Sequence, residues 1–104
     1  MRAEALKGHL DGLILATLKV GPAHGYAIAQ ALRARSDGAF DLPEGTLYPA
    51  LHRLERAGVV SSEWSTEAGR RRRTYSLTRS GGRMLEERRS EWRLLSNAIE
   101  SVLA

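Results

Sequence analysis

Cysteine is absent from this sequence of 104 residues, and histidine is scarce. Without cysteine the chain has no disulfide, no thiolate nucleophile and no cysteine-bound zinc or iron–sulfur cluster. The three histidines, His9, His24 and His52, are spaced too widely for two of them to share one face of a helix. We therefore expect no metal site and no cofactor.

Long apolar runs and catalytic signatures are missing as well. The apolar stretch at residues 13–18 is too short to span a bilayer, and Lys19 ends it. Acidic residues precede this stretch, which does not suit a signal peptide, so we expect a cytoplasmic protein without a membrane partner. The sequence contains no nucleophile elbow, phosphate loop or paired carboxylates, so we expect no catalytic residues and no enzyme activity.

Positive charge is concentrated in one place. Lys and Arg number 16 against 12 Asp and Glu, and the resulting net charge of +4 is by itself weak evidence for a nucleic-acid partner. The arginines at positions 70–73, however, form an unbroken run between a predicted turn and a predicted strand. This position argues against a merely solvated or disordered stretch.

Two helices are predicted in the first third of the chain. Leu10, Leu13, Ile14 and Leu18 recur at helical spacing, and the turn at Gly21 and Pro22 ends this helix. Residues 1–7 are good helix formers that can extend it. A second helix is predicted over residues 24–35 and is stopped by residues 36–38.

A third helix is predicted over residues 44–57, with Leu47, Leu51 and Leu54 on one apolar face. Gly58 is the expected C-terminal glycine. Pro49 removes a backbone donor from this helix, which leaves open where its first turn lies.

The hydrophobic period then changes from helix to strand. Residues 60–64 and 73–77 alternate between apolar and polar side chains, and residues 66–69 form a plausible hairpin connection with glycine at its end. Thr78 can cap a last helix that runs to about residue 103. That helix carries an a/d heptad pattern, too short for a free-standing coiled coil, which predicts a dimerisation surface made of Leu85, Trp92, Leu95, Ile99 and Val102, with Arg88 as its polar member.

Three helices followed by a hairpin is the element order of a winged helix-turn-helix, in which the third helix enters the DNA major groove. We therefore predict a mostly α fold with a small β-hairpin: a DNA-binding domain over residues 1–77 and a C-terminal dimerisation helix over residues 78–104. The face of the third helix opposite its leucines carries the predicted DNA-contacting residues, namely Thr46, Tyr48, Pro49, His52, Arg53 and Arg56.

The arginine run strengthens the DNA prediction. Like charges on neighbouring positions repel one another, so a run of four arginines has no structural reason. It has a functional one if the wing lies along DNA phosphates or a narrow minor groove, both of which attract arginine. Strand alternation directs Arg70 and Arg72 to one side and Arg71 and Arg73 to the other, so about half of them are expected to touch DNA. Arg70 and Arg72 are the predicted contacts.

The sequence resembles the PadR family of transcriptional regulators from about Gly8 to Leu103. The resemblance rests on Gly8-His9-Leu10-Asp11, His24-Gly25-Tyr26, Gly45-Thr46-Leu47-Tyr48-Pro49-Ala50-Leu51, Arg53-Leu54-Glu55, Gly58, Tyr75-Ser76-Leu77-Thr78 and Gly82. It implies a winged-helix repressor whose C-terminal helix packs across a partner subunit. By position, Tyr48 matches the family's recognition-helix tyrosine and Arg70 the arginine after the wing-tip glycine. The chain departs from the family at Thr74, where an aromatic is common, and its short last helix resembles the small subclass without a large effector domain.

These inferences lead to one expected function and one alternative. We expect a repressor that binds double-stranded DNA as a homodimer on an inverted repeat. A small aromatic effector, held by Trp92 and Arg88, is expected to release the repressor from DNA. The alternative is a winged-helix protein-interaction module without DNA binding, since the fold serves both roles. An arginine-rich recognition face argues against that alternative.

Overall fold

A computed structural model of the chain describes residue 6 and residues 8–104. The element order is α1 (Leu10–Val20), α2 (Gly25–Arg35), α3 (Glu44–Arg56), β1 (Val60–Glu67), β2 (Arg70–Leu77) and α4 (Arg79–Leu103). The predicted three helices, hairpin and final helix are therefore confirmed. The expected extension of α1 over residues 1–7 lies outside the described residues except for Leu6, which is buried.

The core lies where α1, α2, α3 and the base of the hairpin meet. Ile14 and Leu15 from α1 are fully buried, together with Ile28 from α2 and Leu47 and Leu51 from α3. Ile14, Leu47 and Leu51 lie on the apolar faces that the helical spacing predicts, whereas Leu15 is a core residue that the spacing did not identify. Thr17 lies among them and donates its hydroxyl to the Leu13 carbonyl at 3.0 Å, which satisfies a buried polar group.

The start of α3 was left open by the sequence, and the structure places it at Glu44. Pro49 therefore lies in the second turn, beyond the positions where donors are unpaired anyway. Because a proline nitrogen carries no hydrogen, the Gly45 carbonyl loses its usual partner four residues on. Both residues are exposed, so water can replace that bond.

The C-terminal end of α3 is a Schellman motif. Gly58 adopts a φ of +79°, and the Val59 N–H donates to the Leu54 carbonyl while the Gly58 N–H donates to the Glu55 carbonyl. The start of α4 is docked on the same turn: the Thr78 and Ser80 hydroxyls both donate to the Gly58 carbonyl, at 2.8 and 2.9 Å. The Thr78 hydroxyl also accepts from the Gly81 N–H, which confirms the predicted cap.

The hairpin is longer and its turn tighter than the sequence predicts. The strands pair from Val60 opposite Leu77 to Glu67 opposite Arg70, so only Ala68 and Gly69 form the turn. Both have positive φ, 50° and 76°, as a type I′ turn requires. The expected four-residue connection at 66–69 is therefore wrong, and the arginine run lies within β2 instead of beside it. Ala23 adds a single antiparallel bridge to Tyr75.

Helix α4 is 25 residues long and is covered only along its first part. Leu85 lies in the chain's own core with 2% of its surface exposed, whereas Trp92, Leu95, Ile99 and Val102 are all substantially exposed. The predicted dimerisation residues thus fall into one already buried and four available ones. Within the described part of the chain, no helix is long and apolar enough to cross a membrane.

Candidate nucleic-acid interface

The outward face of α3 carries the side chains that the sequence selected. Tyr48, Pro49, His52, Arg53 and Arg56 are all exposed, and Thr46 is half-buried. The leucines on the opposite face fix the helix against the core, so the outward face has a defined orientation. A helix presented in this way can enter a major groove.

Tyr48 is held in place by two contacts. Its hydroxyl donates to Glu44 Oε1 at 2.5 Å, and its ring lies against Gly25, where an added Cβ would be 3.2 to 3.3 Å from the tyrosine. This close approach explains the glycine at the start of α2. The hydrogen bond to Glu44 and partial burial together raise the pKa of Tyr48 to about 12, because both disfavour the phenolate. The Tyr48 side chain is therefore neutral, and its hydroxyl donates its hydrogen bond to Glu44.

Arg53 is tied to α1. Its Nη2 lies 2.8 Å from Asp11 Oδ1, in an ion pair in which the guanidinium is well exposed. The sequence identified Arg53 but not its partner, since the two residues are 42 positions apart. The Asp11 carboxylate therefore holds the Arg53 guanidinium beside α1.

The wing arginines alternate as predicted. Arg71 and Arg73 lie over the Trp64 ring, with the guanidinium carbons 4.8 and 5.4 Å from the ring centroid. Arg72 points the other way, and its Nη1 donates to His24 Nε2 at 2.6 Å. His24 precedes α2, so this bond fixes the wing to the helix-turn-helix. Sequence reasoning missed both Trp64 and His24 as members of this surface.

A second network joins the wing to α3. The Ser62 hydroxyl donates to Glu55 Oε2 at 2.5 Å, Arg73 Nε donates to Ser62 Oγ at 2.8 Å, and Arg73 Nη2 lies 3.6 Å from Glu55 Oε2. Ser62, Arg73 and Glu55 thus find their hydrogen-bond and charge partners within this network. It shows that the strand face carrying Ser62, Trp64 and Arg73 is the face turned toward α3.

The helix-turn-helix and the wing enclose an open groove of about 1220 Å³. It brings together Tyr48, His52 and Arg56 from α3 with the four wing arginines, while Glu44 and Glu55 are its carboxylates. Thr46, Pro49 and Arg53 are not among its lining residues. Basic side chains thus outnumber acidic ones in a concave surface beside an exposed helix. This charge distribution is typical of a DNA-binding surface.

A separate cleft lies between α1 and α4. It measures about 580 Å³ and is lined by Leu13, Phe40, Arg88, Trp92 and Leu95, among others. Arg88 Nη1 donates to the Gly8 carbonyl at 3.4 Å, and the Trp92 ring meets His9 edge-on with centroids 5.2 Å apart. The two predicted effector residues therefore border one largely apolar cleft. Among the described residues, no cluster of His, Asp or Glu is arranged to hold a metal ion.

The chain is similar to known regulators over most of its length. Residues 14–87 match the transcriptional regulator PadR-like family. A transcriptional regulator from Clostridium thermocellum has a similar structure, with a TM-score of 0.89 and 30% identity over 100% of this chain and 99% of that one. A PadR family transcription regulator from Clostridium difficile aligns with a TM-score of 0.79 and 35% identity, covering 92% of this chain and 99% of its own.

Two relatives found by sequence cover much of this chain. An uncharacterised protein from Lysinibacillus sphaericus is 31% identical over 96% of this chain and 93% of its own length. A transcriptional regulator from Mycobacterium tuberculosis is 42% identical over 64% of this chain, which spans 59% of that protein.

Proposed function

Because the chain belongs to the PadR-like family of transcriptional regulators, we propose that it is a repressor that binds an inverted-repeat operator as a homodimer. Members of this family are regulators and not enzymes. The observation that carries the proposal is the cationic groove, in which the exposed face of α3 and the arginines of β2 meet. In the proposed complex, α3 enters the major groove and the hairpin lies beside it on the DNA backbone, a docking that the winged helix-turn-helix order of elements favours.

Different residues in this surface have different proposed roles. Thr46, Tyr48 and Pro49 lie near the N-terminal end of α3 and are proposed to meet base edges, followed along the helix by His52, Arg53 and Arg56. Arg70 and Arg72, on the wing, are proposed to contact phosphates. Phosphate contacts add affinity for any sequence, whereas base contacts discriminate between sequences.

The dimer is proposed to form through the second part of α4. Trp92, Leu95, Ile99 and Val102 present apolar surface to water, and Leu85 supports them from within the core. A stripe of this kind is covered in most soluble proteins. We propose residues 1–77 as the DNA-binding unit and residues 78–104 as the dimerisation unit. Two α3 helices related by a two-fold axis would then read half-sites about one helical turn apart.

A small aromatic effector is part of the proposal. Trp92 and Arg88 border the α1–α4 cleft, where a planar ring would stack on the indole and a carboxylate would pair with the guanidinium. In a Trp64→Phe variant, Trp92 is the sole tryptophan. A planar aromatic acid should quench its fluorescence saturably and weaken operator binding. If no member of a panel of planar aromatics does both, this part of the proposal fails.

DNA binding is tested by fluorescence anisotropy with the duplex upstream of the chain's own gene and with a shuffled duplex, over a series of salt concentrations. Arg70→Ala and Arg72→Ala should weaken binding to both duplexes equally and reduce the slope of log K against log salt by about one per protomer. Tyr48→Phe and Arg53→Ala should act mainly on the operator. Lys19→Ala is the matched control, since Lys19 pairs with Glu86 of α4 and does not line the groove.

Two outcomes would contradict the proposal. If the wild-type protein binds neither duplex at low salt, the protein-interaction alternative replaces it. If Lys19→Ala changes the salt slope as much as the wing variants do, the wing is not the phosphate-binding element.

A further inference from the structure

Trp64 is a large aromatic residue on an exposed strand, with 54% of its surface in contact with solvent. Two guanidinium groups lie over its ring, that of Arg71 at 4.8 Å and that of Arg73 at 5.4 Å from the ring centroid. Guanidinium stacking on an indole face is stabilising, and it restricts where the cation points. The ring therefore orders two of the four arginines of the wing.

The two arginines are not equivalent. Arg73 is anchored to α3 through Ser62 and Glu55, so its charge is already matched by a carboxylate. Arg71 makes no ion pair in the part of the chain that the structure describes, and it is exposed. From α3 outward, Glu55 contacts Arg73, Arg73 contacts Trp64, and Trp64 contacts Arg71. The last residue, Arg71, is a cation without a carboxylate partner among the described residues.

This chain of contacts lies on the side of the wing that faces the recognition helix, because Ser62 and Arg73 of the same strand face both reach Glu55. Arg70 and Arg72 belong to the opposite strand face. All four line the groove, but only Arg71 is both unpaired and held over a ring.

We propose that Trp64 is a positioning residue that holds Arg71 ready to contact a DNA phosphate on the α3 side of the wing. Arg71 is then a DNA contact in addition to Arg70 and Arg72. This inference rests on the proposed DNA-binding function. A cation that is ordered before binding loses less side-chain entropy on contact, which is how the ring strengthens binding without touching DNA itself.

A double-mutant cycle tests the coupling. Trp64→Leu should weaken binding to the operator and to a shuffled duplex alike, by about two- to tenfold for each protomer in contact, the entropy cost of ordering one long side chain on binding. The salt slope should be unchanged, because no charge is lost. In an Arg71→Ala background, Trp64→Leu should have no further effect. In the matched Arg70→Ala background, it should keep its full effect.

Two further measurements separate positioning from a loss of structure. Trp64→Phe keeps a ring and should restore part of the lost affinity. In a Trp92→Phe protein, Trp64 is the only tryptophan, and its emission should change when DNA is added but not when Arg71 is also replaced by Ala. Trp64→Leu weakening binding equally in the Arg71→Ala and wild-type backgrounds would overturn the inference and leave DNA binding intact. Failure of the wild-type protein to bind any duplex would overturn both.

Discussion

Gly81, in the first turn of α4, should be irreplaceable even by alanine. A Cβ added there would lie 2.1 Å from the Val59 carbonyl oxygen and 2.7 Å from Leu77 Cδ1. The Val59 carbonyl cannot give way easily, because it accepts the Thr78 N–H at 3.2 Å and belongs to the turn on which α4 is docked. The methyl group must therefore push α4 away from the end of α3.

The cost can be worked from these contacts. Overpacking of a tight site costs about 1–3 kcal/mol, and loss of the Thr78 cap adds about 1 kcal/mol. We expect Gly81→Ala to lower the free energy of unfolding by about 3 kcal/mol, which corresponds to a fall in Tm of roughly 10–20 °C for a domain of this size.

The adjacent glycine provides the control. A Cβ at Gly82 meets no atom within 4 Å. Alanine is favoured over glycine inside a helix, so Gly82→Ala should raise the free energy of unfolding by up to about 1 kcal/mol. Thermal unfolding followed by circular dichroism, at one fixed protein concentration, measures both variants. If the two substitutions shift Tm by the same amount or in the same direction, the docking of α4 on Val59 is not as described.

Three further predictions concern the other surfaces. The double substitution Leu95→Glu and Ile99→Glu should give monomers in light scattering, because each side chain is half-exposed and burial of its exposed part in a dimer contributes about 1 kcal/mol. Asn97→Glu is the control, and a wild-type mass of one chain would contradict the dimer. The Tyr48 phenol should titrate by absorbance at about pH 12, and Glu44→Gln should lower that pKa toward 10 by removing the acceptor charge; an unchanged pKa would exclude the Glu44 contact. Asp11→Asn should tighten DNA binding at low salt by freeing Arg53, whereas Asp37→Asn on an exposed turn should not.

The ends of the helices were predictable because each depends on a local signal. Gly21 and Pro22 end α1, Gly58 with its positive φ ends α3, and Thr78 caps α4 through its own hydroxyl. The apolar faces followed from periodicity alone. The family resemblance gave the same order of elements and agrees with the fold.

The hairpin turn and the pairing of the arginines were not predictable in the same way. A turn at 66–69 and one at 68–69 leave the same alternation in the strands, and only the positive φ of Ala68 and Gly69 distinguishes them. Alternation placed Arg71 and Arg73 on one strand face, but it did not place the Trp64 ring beside them, because cross-strand neighbours depend on the register that the turn sets. Contacts between distant elements, such as Arg53 with Asp11, have no local signature.

The intramolecular partners of the arginines indicate which of them are expected to contribute to DNA affinity. Arg53 and Arg73 each form an ion pair with a carboxylate of the same chain, whereas Arg70, Arg71 and Arg72 make no ion pair within the described residues. An arginine that already has a partner must exchange it for a phosphate, so its net gain on binding is small. An unpaired arginine releases counterions without such an exchange. General affinity for DNA is therefore expected to come from Arg70, Arg71 and Arg72, while Arg73 fixes the wing to α3 and Arg53 fixes α3 to α1.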